Sequence, residues 1–180
     1  MATKDEGILD VVSTGDVLTK RYGFEHKEVP LANWPAATQK FLLADEVSEI
    51  GRFIITKFKK ELSGINIGYV FKQKAGKKGE GRILGQAKAE SELQRTLHGL
   101  DALILIGFDT WSQMNWDEKL RLVHHELCHI GFTPDGSDVS TIDHEVEEFS
   151  EVMQHWGPGT DAQVNLISAY QSFSKLNGGK

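Results

Sequence analysis

Cysteine is almost absent from this 180-residue chain: Cys128 is the only one, so no internal disulfide can form, and a reducing compartment is expected. Prolines number only four, with no repeat and no collagen-like period among the eighteen glycines. No apolar run approaches the roughly eighteen residues of a membrane span; the longest is ALILIGF from Ala102. The N-terminus, MATKDEGILDVV, lacks a basic segment followed by an apolar block, which predicts no secretory leader. Together these absences point to a soluble cytoplasmic protein with no membrane partner. What is present, 39% hydrophobic residues, suffices for one core.

The formal net charge of −6 conceals an uneven distribution. Nine Lys or Arg lie between Lys57 and Lys88 against Glu61 and Glu80, leaving the rest strongly acidic. The ordinary reading is a solvated helix end and a charged hairpin tip. Clustered cations also attract polyanions, so weak, salt-sensitive nucleic-acid binding through this region is the competing expectation.

Along the chain, residues 1–35 carry weak signals, with a short strand near Val17 and Leu18, and read as a loosely packed arm. Residues 36–180 read as a single domain. From Ala36 to Leu62, Leu43, Val47, Ile50, Ile54 and Phe58 recur at helical steps, with Pro35 in the first turn and Gly64 beyond the end. INIGYVFK from Ile65 alternates as a half-buried strand; KQKAGKKGEG reads as a hairpin tip, and RILGQAKAE as the returning strand. After a helical or irregular piece through Leu97, DALILIGFD reads as a buried third strand, and Trp111 to Asp117 as a turn. Asn115 with Glu118 three residues on predicts the capped start of a helix whose buried face is Leu120, Val123, Leu127 and Ile130, stopped by Gly131. FTPDGSDVST is a loop leading to a helix from about Asp143 to Trp156. After Gly157-Pro158-Gly159, a last helix runs from Asp161 to Leu176 with Leu166, Tyr170 and Phe173 inward. The expected class is α+β: a sheet of three or more strands, a long first helix, and two motif-bearing helices.

The chemistry is concentrated in HHELCHIGF, residues 124–132. Two ligand pairs overlap there, His125 with His129 and His124 with Cys128. Side chains four apart on a helix lie about 40° apart around the axis and can meet one ion. The second pair is rotated by about 100° from the first, so the two cannot share a metal. Only the first has a carboxylate, Glu126, placed to reach a water at the ion rather than the ion itself. Two imidazoles and a base are what a zinc hydrolase needs. Cys128 reads instead as a small buried residue and His124 as a polar flank near the helix surface. An H-E-x-x-H arises by chance in only about 2% of chains of this composition.

A catalytic zinc usually takes three protein ligands. DHEVEEF, from Asp143, offers the third: His144, fifteen residues after His129, or alternatively Glu148 one turn further on, with Glu147 beside it. The carboxylate that is not a ligand would orient a histidine. The strand Ile83 to Glu90 or Ala102 to Phe108 would offer an edge for a peptide substrate. His155 reads as a packing or surface histidine rather than a donor to the reacting carbonyl, and His26 and His98 as ordinary residues.

The pairing of an H-E-x-x-H helix with a following H-x-x-E-E-F segment resembles the phage metallopeptidases and, more distantly, the SprT-like and Spartan-type zinc proteases. The matching positions are His125-Glu126-Leu127-Cys128-His129 and His144 with Glu147, Glu148 and Phe149. The likeness extends back through ILGQAKAES, DALILIGFD and Trp111. It implies a zincin-like fold, one zinc per chain, Glu126 as general base, a protein or peptide substrate, and a phage-encoded protein working in the host cytoplasm. It names no target, and the second zinc-binding cysteine set of the SprT-like proteins is missing. The rival expectation is an inactive zinc-stabilised binding or decoy protein acting on a host factor or nucleic acid. Glu126 argues against it, since a structural site needs ligands but no base.

Overall fold

The computed structural model describes residues 34–35, 38–79, 81–143 and 149–176. The expected N-terminal arm, with its strand near Val17, lies outside them, as do His26 and the segment 144–148.

The sheet is organised by its most apolar strand. In chain order the first elements are β1 (Phe41–Leu43), α1 (Asp45–Lys57), a 3₁₀ turn (Lys60–Leu62), β2 (Ile67–Lys72), β3 (Gly76–Lys78), β4 (Gly81–Ile83) and β5 (Gly85–Ala89). There follow α2 (Glu92–His98), β6 (Ala102–Gly107), α3 (Phe108–Trp111), α4 (Trp116–Cys128), β7 (Ile130–Phe132), β8 (Val139–Thr141), α5 (Ser150–Trp156) and α6 (Asp161–Leu176). The main sheet has the order β1-β2-β6-β5. β6 bears Ala102, Ile104 and Ile106 fully buried and takes an interior position, as a near-continuous apolar run does. It pairs in parallel with β2, Ile67 opposite Ala102 and Phe71 opposite Ile106, and antiparallel with β5, Gly85 opposite Ile106 and Ala89 opposite Ala102.

This α+β architecture agrees with the sequence in class, with four strands in the main sheet. The connectivity corrects the sequence reading. β5 does not return alongside β2; β6 lies between them, and the expected tip is a hairpin of its own, β3 with β4. β5, whose sequence is GQAKA, is an edge strand, whereas Ala102 to Phe108 is excluded as an edge by β6's two neighbours.

α1 is shorter than the periodicity suggests. Val47, Ile50 and Ile54 are fully buried, but Leu43 belongs to β1 and is 77% exposed, and Phe58 is the C-cap. Gly51 sits where a Cβ would come within 2.3 Å of the Tyr69 hydroxyl, so the helix approaches β2 more closely than an alanine would allow. Glu46, in the first turn, accepts from the Trp111 indole at 2.9 Å and from Lys119 Nζ at 2.8 Å, tying α1 to α3 and α4. The ammonium of Lys119 also lies 5.0 Å from the Trp111 ring centroid. Each fully buried aliphatic residue in this core contributes about 1.5–3 kcal/mol of transfer free energy.

Four further expectations change. Trp111 closes a short helix rather than opening a turn, and Ile130 lies in β7 rather than on the motif helix, with Gly131 in the same strand rather than acting as the helix stop. The loop after the motif is a hairpin, β7 with β8, with Phe132 opposite Val139. On α6, Leu166 and Tyr170 are 54% and 70% exposed instead of inward; Phe173's side chain is outside what is described. The helix itself has the predicted bounds, so its periodicity set the conformation and not its burial.

Candidate functional site

α4 is built to present four different faces. Asn115 caps it as expected: its side chain accepts from Glu118 N at 3.0 Å, and its own N–H donates to Glu118 Oε2 at 2.8 Å. Leu120, Val123 and Leu127 are fully buried in the core. With that face fixed, the 100° step per residue turns the neighbouring side chains towards three other surroundings.

His125 and His129 share one face, both half-buried, with ring centroids 5.0 Å apart. Phe149, at the N-cap of α5, stands edge-on to both, 5.5 Å from His125 and 4.8 Å from His129. His129 Nδ1 lies 2.6 Å from the carbonyl oxygen of Ile142. A carbonyl can only accept, so Nδ1 carries the hydrogen and the lone pair of the neutral ring is on Nε2. This is the anchoring seen for metal-binding histidines, in which the second nitrogen donates to a fixed acceptor. The Ile142 N–H returns a bond to the His129 carbonyl at 2.8 Å, so the strap is held at both ends.

Glu126 faces the sheet and is 3% exposed. It lies directly on the backbone of β5: a Cβ on Gly85 would stand 2.4 Å from Oε1 and 2.7 Å from Cδ. Gly85 was not singled out in the sequence, although an isolated glycine in a strand pattern is a signal for close approach. β5, whose sheet pairing is with β6, runs past the carboxylate as the outer strand of the main sheet.

The remaining pair, His124 and Cys128, has a different environment from the one expected. His124 is fully buried rather than a surface flank, because α5 and Phe58 pack over it. Trp156 Nε1 donates to His124 Nδ1 at 2.8 Å, which leaves Nε2–H to donate to Glu151 Oε1 at 3.2 Å. An unpaired N–H at this depth would cost about 1–3 kcal/mol. Burial pushes the His124 pKa down to about 4 against the opposing pull of Glu151, so the ring is neutral at pH 7 and able to accept from the indole. Cys128 is buried as expected, its Sγ 3.9 Å from Glu151 Oε2. Lys59 Nζ donates to the same oxygen at 3.2 Å. Burial works against the charge of Lys59, but its partners Glu61 and Glu151 outweigh it and raise the pKa.

The ligand atoms of His124, Cys128 and Glu151 lie within 4.8 Å of one another, a grouping that could suit a metal by distance alone. The hydrogen bonds argue otherwise. A metal on His124 Nε2 would move the ring hydrogen to Nδ1, setting it against the Trp156 N–H, and a dication would meet the Lys59 ammonium. At His129 the Nδ1–H bond to the Ile142 carbonyl puts the lone pair of the neutral ring on Nε2, the nitrogen a metal would take, so the donor chemistry of the His125–His129 face fits a metal and that of the His124–Cys128 face a closed polar cluster.

His155 packs as expected, its ring 4.1 Å from Phe58. His98 pairs with the buried Glu90 at 3.4 Å and accepts from Leu100 N at 3.2 Å. His144, Glu147 and Glu148 fall in the undescribed segment. Of the basic stretch, Lys72 in β2, Lys88 in β5, and Lys74 and Lys77 are exposed, and Arg82 faces Asp109 at 3.8 Å.

The class that fold and site define is an α+β protein with an H-E-x-x-H helix laid against the outer strand of its sheet. The family model described as "Putative phage metallopeptidase" matches residues 39–171, most of the chain, and the chain belongs to that family. No curated protein and no solved structure matches it. Among the described residues, no helix is long and apolar enough to cross a membrane.

Proposed function

We propose that the protein is a zinc-dependent peptidase in which His125, His129 and His144 hold the metal, with Glu148 as the alternative third ligand, and Glu126 is the general base. The observation that supports this reading is the His129 Nδ1–Ile142 carbonyl bond, which leaves the lone pair of the neutral ring on Nε2, as a metal ligand requires. Zinc, when bound, polarises the scissile carbonyl and lowers the pKa of water towards neutrality. Glu126 then takes the proton from the attacking water on its carboxylate and passes it to the leaving amine nitrogen, so that it ends the cycle ionised again. A substrate in extended form would lie along β5, adding its main-chain hydrogen bonds to that strand's outer side. The Gly85 backbone, against which Glu126 rests, would keep the base beside that chain.

Three proteins compared side by side test the ligand set: the parent, His144→Ala and Glu148→Ala, each assayed for zinc content and casein hydrolysis. The parent is expected to hold one zinc per chain and to lose hydrolysis on chelation, regaining it with added zinc. His144→Ala loses metal and activity, and Glu148→Ala keeps its metal. Metal lost from the Glu148 variant alone would exchange the ligand assignment, and a zinc-free parent would remove the peptidase reading.

A further inference from the structure

α5 touches α4 on two sides at once. Its second residue, Glu151, and its last, Trp156, grip the back of α4 through His124, with Lys59 completing the group at Glu151 Oε2. Its N-cap, Phe149, covers the rings of His125 and His129. Between these, Val152 is fully buried and packs with Cys128 and Phe149. A helix of seven residues has no independent stability, so its placement depends on these contacts. Phe58 stacks on His124 with an angle of 12° between the rings, which leaves the imidazole little freedom to follow a shifted partner.

We infer that Glu151 is a positioning residue for the proposed zinc ligands: bonded to His124 and Lys59, it fixes α5 so that Phe149 holds the His125 and His129 rings in place. The inference rests on the zinc reading above. It gives the second ligand-like pair of the motif a role that needs no second metal. Glu151 acts through the N-cap of its own short helix, two residues before it, and neither it nor His124 touches the reacting atoms.

Zinc affinity, measured by competition with a chromophoric chelator well below the thermal midpoint, provides the test in the full chain. Glu151→Ala is expected to weaken zinc binding by about 10- to 100-fold, the range for residues that orient metal ligands. Glu151→Gln recovers most of the loss, because its amide oxygen still accepts from His124 Nε2. Phe149→Ala loses a similar factor, and the Glu151→Ala/Phe149→Ala double variant loses clearly less than the product of the two, since one acts through the other. A Glu151→Ala protein with a lowered thermal midpoint but parent-like zinc affinity would reduce Glu151 to a structural role and overturn the inference. Multiplicative losses in the double variant would do the same, as would a parent with two zincs of which Glu151→Ala loses one. A parent that binds no zinc, or a His129→Ala variant that binds it as the parent does, would remove the zinc reading itself and the inference with it.

Discussion

Glu126→Gln is expected to lower casein hydrolysis by about 10²- to 10⁴-fold while zinc content and thermal midpoint stay near those of the parent. An amide cannot take up the proton that the carboxylate accepts, so the chemical step fails. The other contributions, positioning along β5 and polarisation of the carbonyl by the metal, survive and leave a residual rate. Glutamine has nearly the shape of glutamate, and the tight space against Gly85 accommodates it without a change of volume. Rates at matched zinc loading are the measurement. A zinc-loaded variant turning over like the parent would take the general-base role from Glu126.

Gly85→Ala is the second large effect, expected to reduce turnover by about 10²-fold, since a misplacement of about 1 Å in a reacting group costs that much. The new Cβ would lie 2.4 Å from Glu126 Oε1, and neither backbone can easily move to make room, so the side chain must. Gly85 is fixed in the ladder opposite Ile106, and α4 is fixed by Leu120, Val123 and Leu127 in the core. The carboxylate must therefore turn away, while His125 and His129, on another face of the helix, are expected to keep the proposed metal. Gly64→Ala is the control, because nothing lies within 4 Å of the position its Cβ would take. Parent-like turnover in Gly85→Ala would mean that the carboxylate does not depend on β5 for its position.

The motif helix was legible because its determinants are local. The capping box of Asn115 and Glu118, the spacing of Leu120, Val123 and Leu127, and the histidines four apart all lie within one stretch of fifteen residues. β6 was legible for the same reason, as an uninterrupted apolar run. The order of the sheet was not, because β6's insertion between β2 and β5 is decided by which strand is most apolar, a competition among segments tens of residues apart. β1, with three residues, falls below any periodic signal and was absorbed into α1.

Within the site, the two ligand pairs were visible, but what separates them was not. His124 gains its neutral, accepting state from Trp156 and Glu151, 32 and 27 residues downstream, and Glu151 gains its cation from Lys59, 92 residues upstream. No spacing rule links such positions. The stop at Gly131 failed for a related reason: the helix ends at Cys128, with His129 as its C-cap, because Ile130, Gly131 and Phe132 pair with β8, a contact made after the chain has turned back. On α6 the apolar stripe predicted a helix correctly, yet periodicity carries no information about whether a neighbour covers it.

The zinc content of three purified proteins tests the central claim, that the metal belongs to His125 and His129 rather than to His124 and Cys128. The parent and Cys128→Ser are each expected to carry one zinc per chain by elemental analysis, and His129→Ala to carry little. Stoichiometric zinc in His129→Ala together with its loss from Cys128→Ser would place the metal on the other face of α4 and contradict the account.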